Sequence, residues 1–447
     1  MSAENTARSI RETDGLDPVR ALQRVLYRSA KQDQKRRFHA LYDKLTRSDV
    51  MWRAWVDVAQ NEGAPGIDGV TIASVAEGDV RAFLDDLAGE LRAGVYRPRP
   101  LRRVNIEKPG KPGETRPLGI PTVRDRVVMA AAKIVLEPIF EADFKAQSFG
   151  FRPKRSAHQA LEAVRLAANR GLAWVLDADI KACFDQIDRE ALVAQVERRV
   201  VDHKMLKLLR AWLRAGVFEG GVVTDSGAGT PQGSPISPLL ANIALHLLDE
   251  AWAGGGRRLG TLVRYCDDFV VLCPTKERAE AARDLAAATL APIGLRLHPE
   301  KTRIVCLREG TEGFDFLGFH HRMVESAKWK GRRYMQRWPS KRAMASIRAK
   351  IRHGTRRGLA SLELAYVVDT LNPVLRGWGA YFRYGNSTRK FTMIDSYVCQ
   401  RLAKLASVKH GLKGWNWRTR FTYGWVTDLG VHKLTGTVRY LGANASR

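Results

Sequence analysis

Two acidic stretches hold the residues whose types and spacing could do chemistry. The first is VLDADIKACFD at 175–185, with Asp177 and Asp179; the second is TLVRYCDDFVVLC at 261–273, with Asp267 and Asp268 side by side. Alternate residues of an extended segment share a face, so Asp177 and Asp179 point the same way, with Asp179 where the strand gives out. Asp267 and Asp268 fall at a tight turn between two β-prone apolar runs. If Asp179 and Asp267 meet, two or three like charges crowd one spot. Repulsion and desolvation make that costly unless a divalent cation lies between them. Carboxylate oxygens at strand ends suit Mg²⁺, which keeps waters and takes one or two protein carboxylates plus substrate phosphates. A pair of such ions stabilises the attacking and leaving oxygens of phosphoryl transfer.

Charge points to the substrate class. The 447-residue chain has formal charge +27, and Arg322–Arg447 alone carries 26 Lys and Arg against five acids, together with 16 of the 37 aromatic residues. Cations neutralise phosphates and rings stack on bases, so this is the composition of a nucleic-acid surface. An anionic lipid surface would need an exposed amphipathic helix beside an anchor, which nothing else supports. Apolar residues make up 45% of the chain, enough for a sizeable core and against global disorder. No apolar run reaches the length that spans a bilayer. The polar start MSAENTARSIRETDG lacks the apolar core of a signal peptide, so a cytoplasmic location is expected. The five cysteines form no C-x-x-C pair and read as reduced thiols, not a zinc site.

The elements that would position these acids alternate between helix and strand. Helical periodicity covers much of 20–60, then 78–93 and 123–144, with a Gly/Pro loop at 61–70 between them. Residues 97–121 read as a hairpin with a basic, Gly/Pro-rich tip. A strand at 172–180 is followed by helices at 189–200 and 203–215, a hairpin near 217–229, and a loop running into a buried helix. The 261–273 hairpin and a helix at 276–292 follow. GLRLHPEKTRIVCL and FDFLGFHHRMV look strand-like, and helix resumes after Pro339, where Met344, Ile347 and Ile351 make an apolar stripe. The middle of the chain is therefore α+β, with crossings long enough to bring the two acidic strands into one sheet.

In this order and at these distances, DIKACFD, GTPQGSPISPLLANI and YCDD resemble the palm motifs of reverse transcriptases. RPLGIPTVRDRVV, GLRLHPEKTRI, FDFLGF and LNPVLRGWGAYFRYG narrow the resemblance to bacterial group II intron-encoded proteins, and a C-terminal region with no C-x-x-C pair and no His-rich nuclease motif is expected for the type without an endonuclease. It runs from about residue 60 to 400. The resemblance implies a right-hand polymerase, with an N-terminal extension and first finger motif at 1–75 and fingers at 76–170. A palm with an antiparallel sheet would occupy 171–325 and a helical thumb or maturase domain 326–405. A basic DNA-binding segment would take 406–447. It implies an RNA-directed DNA polymerase that copies intron RNA during retrohoming and binds that RNA to promote splicing. Its partners would be intron RNA, target or primer DNA, dNTPs and two Mg²⁺ ions, in the bacterial nucleoid.

Residue by residue, the resemblance makes Asp179 and Asp267 the metal-binding carboxylates, Asp268 the third catalytic acid, and Ile180 a backbone-carbonyl ligand. Phe184 resembles the aromatic gate that leaves no room for a ribose 2′-hydroxyl. Arg116, with Lys108 or Lys111, would hold the triphosphate. Gln232 would lie against nucleotide and template, and Gly233 would allow close backbone approach. Lys301 resembles the lysine that assists pyrophosphate departure. Arg124, Arg126, Lys341, Arg342, Arg348, Lys350, Arg352, Arg376 and Trp378 would contact nucleic acid.

Blander readings stand beside these. Paired aspartates can cap a solvated turn, Phe184 can be core, and Lys108, Lys111, Arg116 and Lys301 can be surface charge. Two other functions remain open: a splicing factor with a vestigial polymerase site, and an intron-free reverse transcriptase used in defence or repair. The complete set of acids, gate aromatic and Arg116 argues against decay. His320 and His321 read as strand-end residues and not ligands, since no Cys or acid cluster accompanies them.

Overall fold

The computed structural model describes residues 17–107, 113–219, 222–224, 233–412 and 420–440. Its strands are β1 (Leu101–Glu107), β2 (Thr115–Ile120), β3 (Trp174–Asp179), β4 (Val217–Glu219), β5 (Val222–Thr224) and β6 (Thr261–Tyr265). They continue with β7 (Asp268–Cys273), β8 (Arg303–Cys306), β9 (Gly313–Phe316), β10 (Phe319–Glu325) and β11 (Arg333–Pro339). Three sheets result, ordered β2-β1-β4-β5, β6-β7-β3-β8 and β11-β10-β9. The fold mixes helix and strand, as expected.

The sheet that positions the acids is β6-β7-β3-β8, in which every neighbouring pair is antiparallel. Its alternation explains its place in the molecule. Leu176, Ala178, Leu262, Phe269 and Val271 face one core, built around the buried helix Val123–Glu141 and the helices 189–197, 203–213 and 237–254. Val175, Val263, Val270, Leu272 and Val305 face a second core with helix Ala157–Asn169, the β9-β10-β11 sheet and the C-terminal helices. By the two-residue period Asp177, Asp179 and Asp268 belong to this second face.

Most expected helices appear with ends within a few residues, capped as their sequences suggest. Thr122, Asp188, Asp202 and Ser340 accept hydrogen bonds from backbone N–H groups in the first turns of the helices that follow them. Met344, Ile347 and Ile351 are buried on helix Lys341–Gly354. Two differences stand out. The segment 295–302 is irregular apart from one bridge, Ile180 to Leu297, so only Arg303–Cys306 of that stretch is strand. The strand β11 lies before Pro339, where the sequence reading names none. Its alternate buried positions are Met335, Arg337 and Pro339. A buried arginine masks the apolar alternation: Arg337 is 4% exposed and donates to the carbonyls of Leu161 and Tyr384. The expected boundary at 325/326 therefore falls inside the β10–β11 hairpin, and that at 405/406 inside helix Thr388–Lys409.

Candidate active site

The antiparallel register sets Asp179 directly opposite Asp268, and Asp267 lies in the turn joining β6 to β7. Asp177 is one alternate position further back, opposite Val270. Four carboxylates thus converge at one end of the sheet, and their acidity records the crowding. Burial, then the charges of Asp177, Asp267 and Asp179, push the Asp268 carboxyl up to about 8. Burial, with Asp179 adding to it, also raises Asp267. Burial raises Asp177 against the opposing pull of Arg303.

Cations already sit on two of these acids. Lys301 Nζ is 2.7 Å from Asp179 Oδ2, and Arg303 Nε is 3.0 Å from Asp177 Oδ2. Lys301, expected near a leaving pyrophosphate, is thus bonded to the first of the predicted metal ligands. Ile180 is 3% exposed, and its role falls on its backbone. Lys181 N–H donates to Arg296 O and His298 N–H to Asp179 O. Strand alternation then turns the Ile180 carbonyl to the opposite edge, the side of the β6–β7 turn. Among the described residues no three His, Cys, Asp or Glu side chains form a group able to hold a metal ion. The donors present are hard oxygens at an open strand end, which fits Mg²⁺ completed by water and substrate phosphate and does not fit an all-protein cage.

The turn itself rests on residues the sequence reading passed over. Arg264 is fully buried and pairs through two nitrogens with the fully buried Asp249. Its Nη1 also donates to Asn242 Oδ1 (3.0 Å) and to the Cys266 carbonyl (2.9 Å), and its Nη2 to Ser148 Oγ (2.8 Å). Burial opposes ionisation of Asp249, but Arg264 beside it overrides this and holds the carboxyl below its usual range. Asn242 in turn donates to the Gly150 carbonyl at 2.8 Å. A Cβ on Gly150 would lie 2.5 Å from Cys266 N, so this close approach needs glycine. Cys266 has φ +59, and burial followed by the charge of Asp267 pushes its thiol up to about 12. It is a small inert filler in a strained turn, not a nucleophile. The available signal was a charged residue, Arg264, inside an otherwise apolar strand.

The other expected site residues scatter. Phe184 is half-buried on the short helix Cys183–Gln186, just past Asp179. Arg116 is exposed on β2 opposite Ile106. Gly233 has φ +105, and a Cβ there would lie 2.8 Å from the Gly119 carbonyl, so this loop packs on the β1–β2 hairpin. Lys108, Lys111 and Gln232 lie outside the described residues. Arg126 corrects the expectation of a nucleic-acid contact. It is 7% exposed and its guanidinium donates to the carbonyls of Pro121, Gly63 and Ala64, stapling the 61–70 loop to a helix start. Arg124 pairs with Glu90. Trp378 is half-buried against Phe382 and Phe391, a packing residue and not an open stacking platform. Arg348 lies over the Tyr397 ring. Lys341, Arg342, Lys350, Arg352 and Arg376 are exposed.

Residues 106–321 match the family described as reverse transcriptase (RNA-dependent DNA polymerase), and residues 344–423 match the group II intron, maturase-specific domain. The chain belongs to the reverse transcriptases that carry a group II intron maturase-specific domain. It is 34% identical over 345 residues to Protein YkfC of Escherichia coli, covering 68% of this chain and 88% of that protein. The group II intron-encoded protein LtrA of Lactococcus lactis is 36% identical over 235 residues, 53% of this chain and 39% of LtrA. Nuclear intron maturase 1 of Arabidopsis thaliana is 33% identical over 94 residues, 21% of this chain and 13% of that protein. The chain thus matches most of YkfC but well under half of LtrA. Among the described residues no helix is long and apolar enough to cross a membrane.

Proposed function

We propose that this chain is an RNA-directed DNA polymerase of a group II intron, which copies intron RNA into DNA during retrohoming and binds that RNA to promote its splicing. The observation that carries the reading is the registered pair Asp179 and Asp268. With Asp267 in the adjoining turn, it stands at the end of an antiparallel sheet within the segment matched to reverse transcriptases. The maturase activity is supported by the second match, at 344–423. On this reading the architecture is a right hand. The β1–β2 hairpin belongs to the fingers, the four-stranded acidic sheet is the palm, the helices from 341 onward form the thumb, and a basic C-terminal segment contacts DNA.

Asp179, Asp267 and the Ile180 carbonyl are the groups that would hold Mg²⁺. Bound there, two ions would supply the positive charge that offsets the carboxylates and the charge developing on the reacting phosphate. The protein's own part is positioning. Asp268 accepts the Leu317 N–H and so ties the turn to the β9–β10 connection. Lys301, already at Asp179, is placed to partner a departing pyrophosphate. Arg116, with Lys108 or Lys111, holds the triphosphate from the hairpin. The Phe184 ring would exclude a ribose 2′-hydroxyl, and Gly233 would allow the backbone close approach to the nucleotide and template. The test is primer extension on an RNA template with dNTPs and Mg²⁺. The Asp267→Ala/Asp268→Ala variant is expected to lose DNA synthesis while its RNA binding stays close to that of the parent. Equal synthesis by the two proteins would defeat the assignment.

A further inference from the structure

The segment between the two matched regions, 322–343, belongs to neither. It contains the distal half of the β10–β11 hairpin. As far as Arg322, β10 is flanked by β9, the last pair being Arg322 with Gly313. Beyond it Met323, Val324 and Glu325 pair with β11 alone. The end of the hairpin therefore runs past β9 as a two-stranded arm, flanked near Met323 by the loop at Gly310.

Such an arm is marginally stable by itself, yet this one has a defined tip and a tie to the loop after β8. Ser326 Oγ accepts the N–H groups of Lys328 and Trp329, each at 3.2 Å. Glu325 Oε1 accepts Gly331 N–H at 3.0 Å, and Ser326 N–H reaches Arg332 O at 2.8 Å. Gly331 closes the turn with φ +78. Beside the turn Arg333, paired with Glu325, donates to the Arg308 carbonyl at 2.5 Å and ties the arm to the loop after β8.

What the tip presents is specific. Residues 322–333 include five Lys and Arg and a single acid, Glu325. Trp329 is 55% exposed, whereas every other tryptophan among the described residues is buried or half-buried. Lys328 Nζ lies 5.0 Å and the Arg332 guanidinium carbon 6.0 Å from the Trp329 ring centroid. Tyr334, 40% exposed, lies next to it on the arm, opposite Val324. A lone ring ringed by cations is poorly suited to an apolar protein surface. A membrane interface would call for a continuous apolar face. A base between two phosphates matches ring and cations together.

We propose that this arm is a binding site for single-stranded nucleic acid, with an unpaired base stacked on Trp329 and the flanking phosphates held by Lys328, Lys330 and Arg332. A duplex offers no unpaired base to the ring, so the arm selects loops and displaced strands. The inference deepens the functional reading above and rests on it only for the choice of RNA as a natural partner.

The experiment uses the full chain with its polymerase cleft saturated by primer–template duplex. Labelled single-stranded RNA, single-stranded DNA of the same mixed sequence, and a blunt duplex are the probes. Trp329→Ala is expected to weaken single-strand binding about tenfold, the loss of one stacked base, with duplex binding unchanged and Trp329→Phe retaining most of the affinity. Replacing Lys328, Lys330 and Arg332 with Gln should flatten the salt dependence of single-strand binding by about 0.7 in log–log slope for each phosphate no longer neutralised. A larger loss on RNA than on DNA identifies RNA as the ligand; equal losses identify the shared phosphate-and-base chemistry, and both support the site. Unchanged single-strand affinity in Trp329→Ala, or equal weakening on the duplex, overturns it. Primer extension by Trp329→Ala should match the parent at saturating primer–template. A parent chain that cannot extend a primer would defeat the polymerase reading, while the binding comparison would still decide the arm.

Discussion

Arg264 lies beneath the Cys266–Asp267 turn with no path to solvent, and its guanidinium meets Asp249, Asn242, Ser148 and the Cys266 carbonyl at once. Removing one partner of such a buried pair strands the other charge. Arg264→Met should therefore cost roughly 3–5 kcal/mol, read as a lower urea midpoint. The double variant Arg264→Met/Asp249→Leu removes both charges and should recover most of that stability. It should not recover polymerase activity, because the Cys266 carbonyl still lacks its donor and the Asp267 carboxylate loses its fixed place. Its primer extension is expected to need more Mg²⁺ than the parent's. Recovery of both stability and Mg²⁺ response would show that the turn holds its position without Arg264. Two of the acids were legible because two adjacent aspartates between apolar runs need a reason. Arg264 was not, because its partner Asp249 is brought to it by a helix packed under the strand.

The β9-β10-β11 sheet joins the acidic sheet to the C-terminal helices, and its centre contains a titratable group. His321 on β10 is fully buried, paired across to Arg337 and stacked on Phe314 at 5.0 Å between centroids. Burial first, then the charges of Arg337 and His320, lower its pKa to about 3. The sign of the consequence follows. Above pH 6.5 the ring is neutral folded and unfolded, so nothing is lost. As pH falls from 6.5 toward 3 the unfolded chain takes up a proton that the folded chain refuses, and stability declines. Between pH 7 and 5 the parent should lose about 2 kcal/mol more than His321→Leu, from roughly 1.5 pK units at 1.36 kcal/mol each. Denaturant unfolding at the two pH values measures it, and parallel losses in the two proteins would count against a neutral buried ring. The same sheet shows why β11 escaped notice: Arg337 occupies an inward position that an apolar pattern reserves for Val or Ile.

Over the whole molecule the charge is unequally shared, with most of the excess after residue 321. Such a field repels itself and favours a polyanion. Lys341, Lys350 and Arg352 are exposed on helix Lys341–Gly354, whose other face buries Met344, Ile347 and Ile351. Replacing the three with Gln leaves that core intact. It should reduce the log–log salt slope of intron-RNA binding by up to about 2–3, at roughly 0.7–0.9 per phosphate neutralised, with little change in unfolding midpoint. An unaltered slope would place the RNA elsewhere. Arg126 and Trp378 are the counterexamples, since both satisfy a charge-and-aromatic rule yet serve packing.

The sequence by itself pointed to the class of chemistry, because like charges placed among apolar strands need counter-charge, and it determined most helices, because periodicity and caps are local. It also contained the motif order that marks the family. Tertiary structure decided what depends on register and on burial. It set Asp268, not Asp267, opposite Asp179, and it gave Lys301 to Asp179. It turned Arg126, Arg264 and Arg337 inward, and it left Trp329 exposed between two cations. A residue's type fixes what it can bond, but which partner reaches it depends on chain segments up to a hundred residues or more away.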